Sequence, residues 1–226
     1  MTLPSLICFS LAGVLGAASV DGKIELADAR KGSSAAGVVV WLEPVNPVGP
    51  APTGRYILDQ RSKRFLPHVM AIPVGSQVDF PNHDPIFHNA FSNFAGQPFD
   101  TGLYAPGTSQ KITFRRPGVV RVFCNIHAQM SAVIVVVPTQ YYSISSANGA
   151  FRINNVPPGE YTLRVFHERA TEPTLERLER RLNVAGDTDA GAIRISESGY
   201  LEVGHKNKLG RDYPPQAREG AYGVPK

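Results

Sequence analysis

The stretch V119-V-R-V-F-C-N-I-H-A-Q-M130 joins a strand pattern directly to a turn. Residues 119–123 are mostly β-branched or aromatic, which is typical of a β-strand. Cys124 follows where this strand ends, and His127 and Met130 complete a Cys-x2-His-x2-Met spacing. A thiolate, an imidazole and a thioether on one turn could surround a single metal ion with ligands of graded softness.

Similar short strands are predicted on both sides of this stretch. Turn signals such as Pro73-Val74-Gly75 and Arg116-Pro117-Gly118 separate them, and the chain is rich in such residues, with 21 Gly and 19 Pro among 226 residues. The predicted strands of this region are residues 37–42, 56–58, 69–72, 77–80, 110–114, 119–124 and 132–137. Short strands at this spacing predict an all-β sandwich or barrel, which we expect to span residues 20–137.

A second, smaller β-sandwich is predicted over residues 138–198. Asn148-Gly149 is a tight-turn dipeptide, and residues 151–153 and 160–165 alternate between apolar and polar side chains. Residues 175–184 fit either a helical face or a strand, and their neighbours favour a strand. Residues 199–226 have no hydrophobic period, so we expect an extended or disordered tail.

The first nineteen residues are apolar and uncharged and end in small residues. They predict a secretory signal peptide cleaved near Ala18 or Ser19, and hence a periplasmic or secreted protein with no stable membrane span. No Lys or Arg precedes the apolar run, which departs from the usual pattern.

Removal of the signal would also remove Cys8 and leave Cys124 as the single cysteine. The Cys124 thiol is then buried and inert, paired between chains, or bound to a metal.

The charge pattern bears on the kind of partner. The formal net charge is +4, but the basic residues are scattered among acidic ones, which argues against a nucleic-acid partner. A weakly basic surface is compatible with docking onto an acidic protein.

A fourth candidate ligand lies in another loop. Residues 81–89, P-N-H-D-P-I-F-H-N, directly follow the predicted strand that ends at Phe80, and they offer His88. Two imidazoles from His88 and His127, a thiolate from Cys124 and a weak axial thioether from Met130 form the ligand set of trigonal blue-copper sites. The sequence therefore predicts a single copper ion that cycles between Cu(I) and Cu(II).

This pattern resembles the plastocyanin, pseudoazurin and amicyanin group of cupredoxins. The resemblance rests on Phe80-Pro81-Asn82, Phe87-His88-Asn89, Pro117-Gly118 and Cys124-Asn125-Ile126-His127-x2-Met130. More closely, residues 37–168 resemble the plastocyanin-like methylamine utilization proteins, in which a copper unit adjoins a carboxypeptidase regulatory-like β-sandwich. The resemblance implies a Greek-key copper unit, equatorial ligation by His88, Cys124 and His127, axial ligation by Met130, and an Asn89 side chain that braces the two ligand loops.

The function implied is single-electron transfer between redox partner proteins, without catalysis, because four protein ligands leave no open position for a substrate. His83, His68 and Met70 are further candidate metal ligands, although ordinary loop and strand roles are the more common ones for such residues. They keep open a copper-delivery function with a second Cu(I) site.

The sequence is also compatible with a β-sandwich interaction module whose metal site is structural or empty. A Cys–His hydrolase built on Cys124 and His127 is a weaker interpretation. It would lack an orienting third group and an oxyanion hole, and it would leave Met130 unexplained.

Overall fold

The computed structural model describes residues 16–46, 48–93, 97–201 and 204–213. Within these residues the chain is all-β, as predicted, with one short helix. The elements in chain order are β1 (Ala18–Leu26), β2 (Val39–Pro44), β3 (Arg55–Ile57), β4 (Asp59–Arg61), β5 (Arg64–Leu66), β6 (Val69–Pro73), β7 (Gln77–Pro81), β8 (Phe91–Ser92), β9 (Phe99–Asp100), β10 (Ser109–Thr113), β11 (Gly118–Phe123), β12 (Ser131–Val137), β13 (Tyr142–Ile144), β14 (Ala150–Val156), β15 (Gly159–Phe166), α1 (Glu172–Glu176), β16 (Arg180–Val184) and β17 (Thr188–Ile195).

The strands between Arg55 and Val137 form what we call the inner unit. A five-stranded sheet has the order β6-β12-β11-β8-β9, a three-stranded sheet has the order β10-β7-β3, and β4 and β5 form a separate hairpin. Side chains such as Phe80, Phe114 and Ile134 fill the core of this unit, and all three are fully buried. Cys124 and Met130 belong to the same core cluster, so the predicted ligand turn is anchored at both ends in the hydrophobic interior.

The remaining strands form what we call the outer unit. One of its sheets has the order β14-β1-β17 and the other the order β13-β2-β15-β16. Its core draws apolar residues from both sheets, among them Val20, Leu42, Ile153 and Leu163. The predicted turn at Asn148-Gly149 is confirmed: the backbone of Gly149 has φ +82°, and a Cβ atom there would lie 2.3 Å from the carbonyl oxygen of Ile24.

The strand pairing differs from the predicted division of the chain at Pro138. β1 pairs with β14 and β17, and β2 pairs with β13 and β15, so residues 18–44 share sheets with residues 142–195. The inner unit is inserted between β2 and β13. The prediction assigned residues 37–42 to the first unit because Val38–Leu42 is an apolar run typical of any buried strand. Such a run does not indicate which strands it pairs with.

The two units pack directly against each other. In β12, Ala132, Ile134 and Val136 face the inner core, whereas Val133, Val135 and Val137 belong to a cluster with Val39 of β2, Ala71 of β6 and Phe166 of β15. We call this cluster the seam. Burial on both faces explains why β12 is a continuous apolar run without polar alternation.

The predicted strand over residues 175–184 is confirmed in its second half, where β16 pairs with β15. Its first half lies at α1 and the turn that follows.

The predicted cleavage position at Ala18 or Ser19 falls on the first residues of β1, and residues 1–15 lie outside the described part of the chain. Among the described residues, none of the helices is long and apolar enough to span a membrane.

Candidate metal centre

The β11–β12 hairpin positions the Cys124 turn. The two strands pair as far as Phe123 and Ser131, and residues 124–130 form the connection. The backbone N–H of Cys124 donates to the Met130 carbonyl at 3.2 Å, and the N–H of Met130 donates to the His127 carbonyl at 3.0 Å. These bonds close the turn and direct Cys124 and His127 to the same end of the unit.

His88 comes from the loop after β7. Its backbone N–H donates to the Tyr104 carbonyl at 3.3 Å and its carbonyl accepts the Tyr104 N–H at 2.9 Å, so the His88 backbone is held by an isolated β-bridge. The Tyr104 hydroxyl donates to the Phe80 carbonyl at 2.8 Å, which ties this bridge to β7. His88 is fully buried.

The three side chains converge. The Cys124 Sγ atom lies 3.7 Å from His88 Nδ1 and 3.8 Å from His127 Nδ1, and the potential ligand atoms all lie within 4.8 Å of one another. Metal bonds of about 2.0 Å to nitrogen and about 2.3 Å to sulfur, separated by about 120°, would place such donors roughly 3.7 Å apart. The spacing therefore fits a trigonal metal site with two imidazoles and one thiolate, the donor set that suits copper.

Asp84, which the sequence analysis did not identify as a site residue, orients His88. Its Oδ2 atom lies 2.8 Å from His88 Nε2 and accepts the proton carried there, and Nδ1 of the same ring faces Cys124. The carboxylate also accepts the backbone N–H groups of Ser62 and Lys63 at the tip of the β4–β5 hairpin, at 2.5 and 2.8 Å. Asp84 lies four residues before His88. Because metal-ligating imidazoles commonly donate to a carboxylate, this short spacing could have identified Asp84 from the sequence.

The electrostatics of the site favour a thiolate. Burial raises the pKa of Cys124, but the hydrogen bond with His88 and the backbone amides of Asn89, Ile126 and His127 outweigh it, so the pKa lies below its ordinary value. Burial also opposes protonation of His88, yet its bonds with Cys124 and Asp84 raise the pKa of that imidazole.

His127 behaves differently from His88. Burial is the main cause that lowers the pKa of His127, and the positive charge of His88 is the second. The lowered pKa keeps the His127 imidazole neutral and able to ligate a metal. Of the three clustered side chains, His127 is partly exposed, whereas Cys124 and His88 are fully buried.

Asn89 connects the two ligand loops. Its Oδ1 atom accepts the backbone N–H of Asn125 at 2.7 Å, and its Nδ2 group donates to Asp100 Oδ1 at 3.2 Å. The bond to Asn125 fixes the first peptide after Cys124. This is the geometry that the bracing role requires.

Met130 is fully buried beside Cys124 in the inner core. Its position is compatible with axial ligation and equally with packing, because Met fills irregular gaps in cores. Its role as a ligand stays a prediction.

The other candidate ligands lie outside the three-residue cluster. His68 Nε2 contacts Glu168 Oε2 at 2.6 Å, and its Nδ1 lies 3.1 Å from the Ser131 carbonyl. Met70 is buried in the inner core, and His83 Nδ1 contacts Asp59 Oδ1 at 2.5 Å. The structure thus gives His68 and His83 carboxylate partners, and it does not bring His68 and Met70 to one exposed face.

The tail makes contacts that the sequence analysis did not predict. Residues 204–213 lie across the Cys124 turn, whereas residues 214–226 fall outside the described part. The Tyr213 hydroxyl donates to the Cys124 carbonyl at 2.7 Å, and burial, with the charge of Cys124, raises the pKa of Tyr213 to about 12, so the hydroxyl remains a donor at neutral pH. The sequence analysis predicted an extended or disordered tail and named no partner for it; residues 204–213 are largely exposed and make these contacts without a hydrophobic period in the sequence.

Comparison with solved structures finds copper proteins. A copper-containing nitrite reductase from Thermus scotoductus matches at 30% identity and a TM-score of 0.35, over 42% of this chain and 25% of that enzyme. An amicyanin variant in the oxidised state matches at 18% identity and a TM-score of 0.35, over 37% of this chain and 83% of that protein. A purple cupredoxin from Nitrosopumilus maritimus matches at 22% identity and a TM-score of 0.33, over 37% of this chain and 99% of that protein.

This chain therefore spans about a quarter of the nitrite reductase. No protein-family model matches the chain, and neither does any curated protein sequence.

Proposed function

We propose that this protein is an exported type 1 copper protein that transfers single electrons between redox partner proteins. The observation that carries the proposal is the convergence of His88, Cys124 and His127 at trigonal spacing in a buried site. Copper held there would supply one-electron redox chemistry. Met130 would be the axial ligand, and the apolar stretch of residues 1–19 supports export to the periplasm or outside the cell.

The residues around the site have separate tasks in this proposal. Asp84 holds the His88 ring in the tautomer that presents Nδ1 to the metal, and Asn89 fixes the peptide after Cys124. Apolar side chains around Cys124 exclude water, which limits reorganisation between the two oxidation states. His127, the partly exposed member, is the edge by which we expect electrons to enter and leave.

The test compares the visible absorption spectra of the Cu(II)-loaded wild type and the Cys124→Ser variant. We expect an intense thiolate-to-copper charge-transfer band that reduction bleaches and that the variant lacks. Asn93→Ser, which changes a residue outside the ligand set, serves as a control and should retain the band. Weak absorption only, or no retained copper, would refute the electron-transfer function.

Copper delivery is the alternative that stoichiometry distinguishes. An electron carrier should bind one copper tightly, whereas delivery predicts a second or exchangeable Cu(I) site that is lost in His68→Ala or Met70→Leu. The ion pair of His68 with Glu168 and the burial of Met70 favour the single site.

A further inference from the structure

The described end of the tail, residues 204–213, forms a strap over the Cys124 turn. His205 stacks on Phe123, the last residue of β11, with ring centroids 4.0 Å apart and an interplanar angle of 21°. Its Nε2 atom lies 2.6 Å from the Ala128 carbonyl. Tyr213 contacts the Cys124 carbonyl, as described above, and its ring packs edge-on against His205 with centroids 5.1 Å apart.

Lys208 extends the strap to the second ligand loop. Its backbone N–H donates to Asn125 Oδ1 at 3.0 Å, and its Nζ atom lies 2.6 Å from Asp100 Oδ2. Because Asp100 also accepts from Asn89, which in turn accepts from Asn125, these four residues form a closed circuit of hydrogen bonds. The circuit joins the loop of His88, the turn of Cys124 and the strap.

We propose that the strap is a positioning segment of the metal centre, with Tyr213 and Lys208 as its positioning residues. Tyr213 holds the carbonyl of Cys124 itself, so it restricts rotation of the peptide that carries the thiolate. Lys208 holds the partners of Asn89, so it restricts the separation of the two ligand loops. The spectroscopic test of this role rests on the proposed copper site. The alkylation test uses the metal-free protein and does not depend on copper.

The first readout is the alkylation rate of the Cys124 thiol in the metal-free, full-length protein that carries Cys8→Ser, so that Cys124 is the one thiol able to react. The thiol is fully buried, so a reagent reaches it through local opening, and the rate follows the fraction of open molecules. Loss of one neutral hydrogen bond costs about 1 kcal/mol, and about 1.4 kcal/mol is tenfold in an equilibrium, so Tyr213→Phe should raise the rate about fivefold. Lys208→Met should raise it by a smaller factor, since its ion pair is partly exposed.

Matched controls lie outside the strap. Tyr200→Phe removes a hydroxyl from a ring that lies against Arg169, and Lys111→Met removes an exposed cation of β10. Both controls should leave the alkylation rate unchanged. An unfolding curve for each variant shows whether global stability has changed.

The second readout is the energy and intensity of the charge-transfer band after loading with Cu(II). A positioning role predicts a shifted band in Tyr213→Phe and an unshifted band in Tyr200→Phe, which a general loss of stability would not produce. Alkylation rates and spectra of Tyr213→Phe and Lys208→Met equal to those of their controls would overturn the strap proposal and leave the copper proposal standing. Faster alkylation in a protein that binds no copper would refute the copper proposal and support the strap.

Discussion

At the scale of single residues, the His88–Asp84 contact determines which ring nitrogen is free for a metal. Asp84→Asn exchanges a charged acceptor for a neutral amide of the same shape and weakens the hold on His88 Nε2. We expect copper affinity to fall on the order of 10- to 100-fold, as is usual when the partner of a ligating imidazole is lost. Competition titration with a copper chelator measures this loss.

Asp79→Asn is the matched control for that change. Asp79 lies on β7, outside the ligand cluster, and pairs with Arg55 of β3. Its copper affinity should equal that of the wild type. Equal affinities for all three proteins would show that Asp84 has no part in the site.

A substitution at Met130 can distinguish its role in core packing from its proposed role as the axial ligand. Met130→Leu conserves volume in the core, so the free energy of unfolding of the apo protein should change by less than about 1.5 kcal/mol. If the thioether is the axial ligand, its loss removes a donor to Cu(II) and raises the reduction potential. Met70→Leu changes a buried Met of the same core without touching the ligand turn, and its potential should stay unchanged. An unaltered potential in Met130→Leu would assign this residue to packing.

At the scale of elements, the seam explains the sequence of β12 and predicts its energetic weight. Phe166 of β15 is 5% exposed and packs into the seam. Phe166→Ala should lower the free energy of unfolding by about 3–5 kcal/mol, through lost burial and a residual cavity. Chemical denaturation measures this. Phe87→Ala removes the same ring from a position that is 56% exposed and should cost far less; similar costs at both positions would contradict the assignment of the seam.

Most strands could be predicted from the sequence because the signals are local. Alternation in β14 and β15 and turn residues such as Gly149 need no knowledge of the rest of the chain. The pairing of β2 with β15 and the partners of Tyr213 could not be predicted, since both are contacts between residues far apart in sequence. The same limit applies to Asp84, whose role depends on two amides at the tip of the β4–β5 hairpin.

At the scale of the whole molecule, an ion pair links the two units. His68 precedes β6 of the inner unit, and Glu168 follows β15 of the outer unit. The hydrogen bond with Glu168 raises the pKa of His68 against the opposing effect of burial. The pKa of Glu168 is lowered by His68 and Arg121, again against burial.

The pH dependence follows from these directions. His68 has a folded pKa above its ordinary value of 6.5, so its contribution to stability is complete below about pH 6.5 and is lost as pH rises through the folded pKa. On the acid side, the contribution of Glu168 is lost as pH falls below 4.5 through its folded pKa. Because half of the His68 side chain is exposed, solvent screens the pair and limits the effect to about 0.5 kcal/mol.

A double-mutant cycle with His68→Gln and Glu168→Gln measures the coupling free energy of this pair. The coupling should be present at pH 6 and decline as the pH rises toward 9. A coupling that does not change with pH would rule out the charged pair as its source.

The insertion of the inner unit between β2 and β13 has a consequence for the order of folding. β2 and β13 are adjacent antiparallel strands, so the two ends of the inserted segment leave and re-enter the same sheet side by side. A chain that emerges from its amino end delivers β1 and β2 long before β13, β14, β15 and β17, the strands with which they pair. The inner unit emerges after β2 and before β13, and it needs none of the later strands for its own sheets. We therefore expect the inner unit to fold before the outer unit, whose two sheets are completed last, when the strap also emerges.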